Sequence, residues 1–104
     1  MKTYRMNITN GLTANAMLDL VFPQVDTPLP VYAVKKSSGM FVVPRAHVIE
    51  WFQHQGIPMK LCMEEYEAVG LDGWEYYTVY GFEFDSPENA MVFKLSWQDI
   101  EEKY

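Results

Sequence analysis

With 104 residues, 49% of them apolar and 15% aromatic, the chain is sized for one packed domain, residues 1–104, which excludes a disordered or two-domain organisation. One cysteine, Cys62, excludes an internal disulfide; no apolar run approaches the roughly 18 residues of a membrane span and MKTYRMNITN has no signal-peptide core, so a soluble cytoplasmic protein is expected. The net charge of −6 is uneven: residues 1–60 carry a balance of +3 and residues 61–104 one of −9, which argues against general nucleic-acid binding and for a negative side that docks on a basic partner.

Thr3 to Thr9 alternates Tyr4, Met6 and Ile8 against Arg5 and Asn7, the period of a half-buried strand, and Asn10-Gly11 predicts a turn. Thr13 then suits the cap of a helix over Ala14 to Phe22, where Ala14, Met17 and Val21, and Ala16 and Leu20, recur at helical spacing up to Pro23. Residues 23–30 hold three prolines and predict an extended loop. Val31–Lys35 and Met40–Val43 are β-rich runs around Lys36-Ser37-Ser38-Gly39, a hairpin signal.

Pro44 suits the first turn of a second helix through Gln55, ended by Gly56 and Ile57-Pro58, with Val48, Ile49, Trp51 and Phe52 towards the core. Met59–Val69 reads as a strand, Leu71-Asp72-Gly73 as a turn, and Trp74–Phe84 as a second strand with clear alternation. Trp74, Tyr76, Thr78, Tyr80, Phe82 and Phe84 share one face; Glu75, Tyr77, Val79, Gly81 and Glu83 share the other. Ser86 is placed to cap a last helix, with Pro87 at its first position, Glu88 at the positive end of its dipole, and Ala90, Phe93, Trp97 and Ile100 on one side. The order β-α-β-β-α-β-β-α predicts an α+β fold: an antiparallel sheet with helices on one face, ferredoxin-like βαββαβ with an appended strand and helix. Trp74, Tyr76, Phe82 and Phe84 are expected to lie against Phe93 and Trp97.

No motif points to a reaction. His47 and His54 lie seven apart on one predicted helix, about 10 Å along its axis, too far for one metal. Cys62 with a histidine could form a nucleophile–base pair, but a lone strand cysteine is more often a small core hydrophobe. The six glycines are scattered and form no phosphate loop. No catalytic residue, metal or cofactor is expected. The acids Glu64, Glu65 and Glu67 precede the turn, and Asp72, Glu75, Glu83 and Asp85 follow it, so a hairpin brings the two groups onto neighbouring strands. They read either as a solvated face or as an acidic docking surface, with Tyr77 as its exposed aromatic anchor.

The ending FEFDSPENAMVFKLSW, Phe82 to Trp97, resembles the strand-to-helix close of small early proteins of tailed bacteriophages: a phenylalanine-bearing strand, an acidic cap and an Ala-Met-x-Phe-Lys-Leu helix. The resemblance implies a small accessory protein that binds and inhibits a host enzyme or defence complex in the host cytoplasm; it carries over no catalytic residue. The leading expectation is therefore a non-enzymatic binding protein whose partner has a basic surface. A homo-oligomeric assembly component, with a homodimer as its simplest form, and a small-molecule-binding domain are the alternatives.

Overall fold

The computed structural model describes residues 2–8, 11–23 and 28–103. These form β1 (Tyr4–Ile8), α1 (Gly11–Met17), β2 (Leu18–Val21), β3 (Val34–Lys35), β4 (Phe41–Pro44), α2 (Ala46–Gln55), β5 (Leu61–Gly70), β6 (Gly73–Phe84) and α3 (Pro87–Glu102). Thr9, Asn10 of the expected Asn10-Gly11 turn, and residues 24–27 of the proline loop lie outside the described residues. The class is α+β, with two three-stranded antiparallel sheets ordered β1-β6-β5 and β2-β4-β3. The single ferredoxin-like sheet expected from the element order is thus replaced by two, each with only antiparallel neighbours.

The first helix departs most from expectation. It ends at Met17, and Leu18–Val21 turns into a strand, because LDLV fits both a helical and an alternating pattern and β4 offers it an edge. Leu18 pairs opposite Pro44 and Val21 opposite Phe41. Arg45 secures the junction: its amide donates to the Met17 carbonyl at 2.8 Å and its Nε to the Asn15 carbonyl at 2.7 Å, so the carbonyls at the helix end find partners. A seven-residue helix has little stability of its own, and long-range pairing decides its length. Thr13 sits buried within α1 rather than capping it, and its hydroxyl donates to Glu101 of α3. Pro44 likewise closes β4 instead of opening α2, whose N-cap is Arg45.

Elsewhere local chemistry prevails. The Lys36–Gly39 turn joins β3 to β4, with the Lys36 amide donating to Met40 at 2.7 Å. Gly56 ends α2, and Ser86 caps α3 by accepting from the Asn89 amide at 3.2 Å with Pro87 behind it.

The core lies on one face of the β1-β6-β5 sheet, under α2 and α3. The Phe93 ring meets Phe52 at 5.7 Å, Phe82 and Phe84 at 5.4 Å each, and Trp51 and Trp97 at 5.6 and 5.5 Å. Phe82 and Phe93 are wholly buried, joined by Ile8, Met17, Val48 and Ile100. Gly81 lets β1 approach β6 on the other face, since a Cβ there would lie 2.8 Å from the Met6 carbonyl.

Only the inner end of β6 reaches this core. β6 has 12 residues and β5 has 10, whereas β1 has five and pairs only with Tyr80–Phe84. At about 3.4 Å per residue the hairpin outruns β1 by some 20 Å. Trp74 and Tyr76, expected in the core, are 67% and 76% exposed because none of the described helices extends over their end of the strand. Phe93→Ala should therefore cost about 3–5 kcal/mol in urea unfolding, the range for a buried aromatic, while Trp74→Ala should stay within about 0.5 kcal/mol of wild type. Equal costs for the two would show that the aromatic face of β6 is buried along its whole length.

Candidate functional site

The candidate site is the outer part of the β5–β6 hairpin, and its register follows from its turn. Leu71-Asp72 is a two-residue loop between Gly70 and Gly73, and Gly73 takes a positive φ of 113° that other residues rarely adopt. Counting back from this turn pairs Tyr66 with Tyr77, Glu67 with Tyr76 and Val69 with Trp74. Directly opposed residues share a face, so the ribbon has two distinct sides.

One side continues the plane of the core and presents Val69, Trp74 and Tyr76, with Glu67 among them. The other presents Tyr66 and Tyr77, whose rings stack at 5.1 Å with 18° between their planes, beside Glu75. Tyr77 is 52% exposed, as its position opposite the core face predicts, and Leu71 at the tip is fully exposed. Tyr66 was not singled out by the sequence reading. The two-residue turn was the available signal, because it fixes Tyr66 as the cross-strand partner of Tyr77.

The root of the arm is braced on both sides by consecutive glutamates. On the outer face, Glu64 pairs with Arg5 of β1 at 2.5 Å and accepts from the Tyr66 hydroxyl. On the core face, Glu65 reaches the β3–β4 turn, where it accepts the Ser37 amide at 2.9 Å and the Ser37 hydroxyl. Lys36 of that turn lies 5.8 Å from the centre of the Tyr80 ring. The Tyr66 and Ser37 hydrogen bonds, respectively, hold the carboxyls of Glu64 and Glu65 below their ordinary range, and Arg5 adds to the first. Glu64 in turn raises the Tyr66 hydroxyl.

The acidic residues therefore divide by role and by face. Glu64 and Glu65 hold the arm, and Glu83 pairs with Lys60 at 3.0 Å back beside the core. Glu67, Asp72 and Glu75 form no ion pair among the described residues and sit on the unbraced part. Glu64, Glu75 and Glu83 share the outer face with Tyr77, whereas Glu65 and Glu67 are on the opposite one.

The other titratable candidates are not brought together. Cys62 pairs with Gly81 on the outer face, half-buried, and burial pushes its thiol up, away from the thiolate a nucleophile needs. His47 and His54 lie on α2, across the sheet, where burial and then Arg45 lower His47. They border a shallow cavity of about 360 Å³ with Glu50 and Lys103. Among the described residues, no three His, Cys, Asp or Glu side chains group as metal ligands, and no helix is long and apolar enough to cross a membrane. No protein-family model, curated protein or solved structure matches the chain.

The braces set a pH dependence. A carboxyl lowered in the folded state contributes stability above its unfolded value, about 4.3 for glutamate, and loses it as pH falls through the lower folded value. The Ser37 amide proton should therefore titrate with Glu65 below pH about 4.3 in an NMR series, and the step should vanish in Glu65→Gln. A Ser37 resonance that titrates equally in both proteins would show that the brace is absent.

Proposed function

We propose that the chain is a non-enzymatic binding protein that docks through its β5–β6 arm on a protein with a basic surface. The exposure of Trp74, Tyr76 and Tyr77 on a braced ribbon carries this reading. Large aromatic side chains left in water are costly unless a partner covers them, and tryptophan and tyrosine supply most anchors of protein interfaces. Glu67, Asp72 and Glu75 surround these rings with no ion-pair partner among the described residues, which favours a basic surface and speeds encounter with it. A root fixed at Glu64 and Glu65 limits the entropy lost when the arm docks.

The partner we infer is a host enzyme or defence complex, inhibited or redirected by the arm. The likeness of Phe82–Trp97 to early proteins of tailed phages supports that choice. The arm meets its partner by protein contact, because its acidic groups repel a phosphate backbone.

The test is affinity capture from a bacterial lysate with the tagged chain, repeated with two variants and followed by kinetics on the protein retained. Trp74→Ala should raise the dissociation rate about 30-fold, as loss of a central aromatic anchor does. The combined variant Glu67→Lys, Asp72→Lys, Glu75→Lys should slow association and remove its salt dependence. A partner held equally by all three proteins contradicts the assignment, as does a self-associated chain that Trp74→Ala converts to monomer.

A further inference from the structure

A second feature, remote from the arm, is the free edge of β1. The Glu83 amide donates to Lys60 at 2.9 Å, so the main-chain groups of Glu83 face β5, and by alternation those of Phe82 and Phe84 face β1. Tyr4 and Met6 are therefore the residues of β1 bonded to β6, and the N–H and C=O of Arg5 point away from the sheet; the same alternation carried one residue before the strand turns Thr3, which lines the groove, the same way. Among the described residues, no strand lies beyond β1. Its outward groups open on a groove of about 400 Å³ between the strand and α3, floored by Tyr4, Met6 and Ala90 and walled by Met91 and Lys94.

Two comparisons distinguish this edge. The opposite edge of the same sheet, β5, carries Glu64, Glu65 and Glu67, the kind of charge that blocks strand addition. The one charge within β1, Arg5, is drawn across the outer face to Glu64 and does not shield the edge. The groove also has the opposite sign to the rest of the molecule. Lys2, which lies 5.5 Å from the centre of the Tyr4 ring, and Lys94 flank it, and neither pairs with a carboxylate among the described residues. Met91 is 55% exposed at its wall.

We propose that the groove between β1 and α3 binds an extended acidic peptide segment by strand addition. The peptide's main chain bonds to Thr3 and Arg5. Its alternate side chains enter the groove, an apolar one over Ala90 and Met91 and, two residues away, a carboxylate between Lys2 and Lys94. Intervening side chains face solvent, so the recognised pattern is an apolar residue and an acidic residue separated by one position.

The experiment is an NMR titration of the isotopically labelled full chain with a capped heptapeptide, threonine at odd positions and valine, glutamate, valine at even ones. A second peptide carries lysine in place of glutamate. The acidic peptide should shift the Thr3 and Arg5 amides and the Met91 methyl, and the lysine peptide should bind at least tenfold more weakly. Thr3→Pro removes one outward N–H without touching the β1–β6 ladder, and Lys94→Glu reverses the rim charge; each should weaken binding at least tenfold. Absence of shifts, shifts confined to β5 or the arm, or equal binding of the two peptides would overturn the proposal.

Discussion

The packing of Phe93 against Phe52, Phe82 and Phe84 is the contact on which the rest of the architecture depends. It joins one helix after β4, one helix after β6 and the C-terminal end of the longest strand into a single apolar cluster. Aromatic rings at 5–6 Å centre distances combine a large buried area with favourable edge and offset geometries. Because this cluster closes over only the last few residues of β6, everything the strand carries before Thr78 must find another environment. The arm follows from the mismatch between a 12-residue strand and the length of the helices that cover it.

A two-stranded ribbon is marginal in water, so the arm needs support beyond its own ladder. Consecutive glutamates provide it because neighbouring strand residues point to opposite faces. Glu64 engages Arg5 from β1 and Glu65 engages Ser37 from the second sheet, so both sheets contribute to one root. Beyond it the cross-strand stack of Tyr66 on Tyr77 stiffens the outer face, and the core-side face is left to Trp74 and Tyr76. Two surfaces of unlike character result: an acidic aromatic arm, and on the far side of the sheet a short strand edge beside Lys2 and Lys94.

Much of this was legible in the residues and some of it was not. The cap at Ser86, the turn at Lys36–Gly39, the hairpin turn at Leu71-Asp72-Gly73 and the alternation of β6 are local, and local signals place them. The strand at Leu18–Val21 needed the edge of β4, which no short window contains. Alternation likewise assigned Trp74 to the face of Phe84 correctly, but the period of a strand does not say where its cover ends; that depends on how far α3 extends over the sheet. The acidic cluster was visible as a count of charges, whereas its division into braces at Glu64 and Glu65 and free groups at Glu67, Asp72 and Glu75 required the positions of Arg5 and Ser37.

The central claim is that β6 is a single strand in two environments, core at one end and solvent at the other. It is tested most directly by paramagnetic relaxation of the three tryptophan indole N–H resonances with a soluble gadolinium chelate. Trp51 packs on Phe93 and Trp74 stands on the arm. The account predicts markedly stronger broadening of the Trp74 signal than of the half-buried Trp51 signal in the free protein. Equal protection of Trp74 and Trp51 would contradict it and place the whole aromatic face of β6 inside the core.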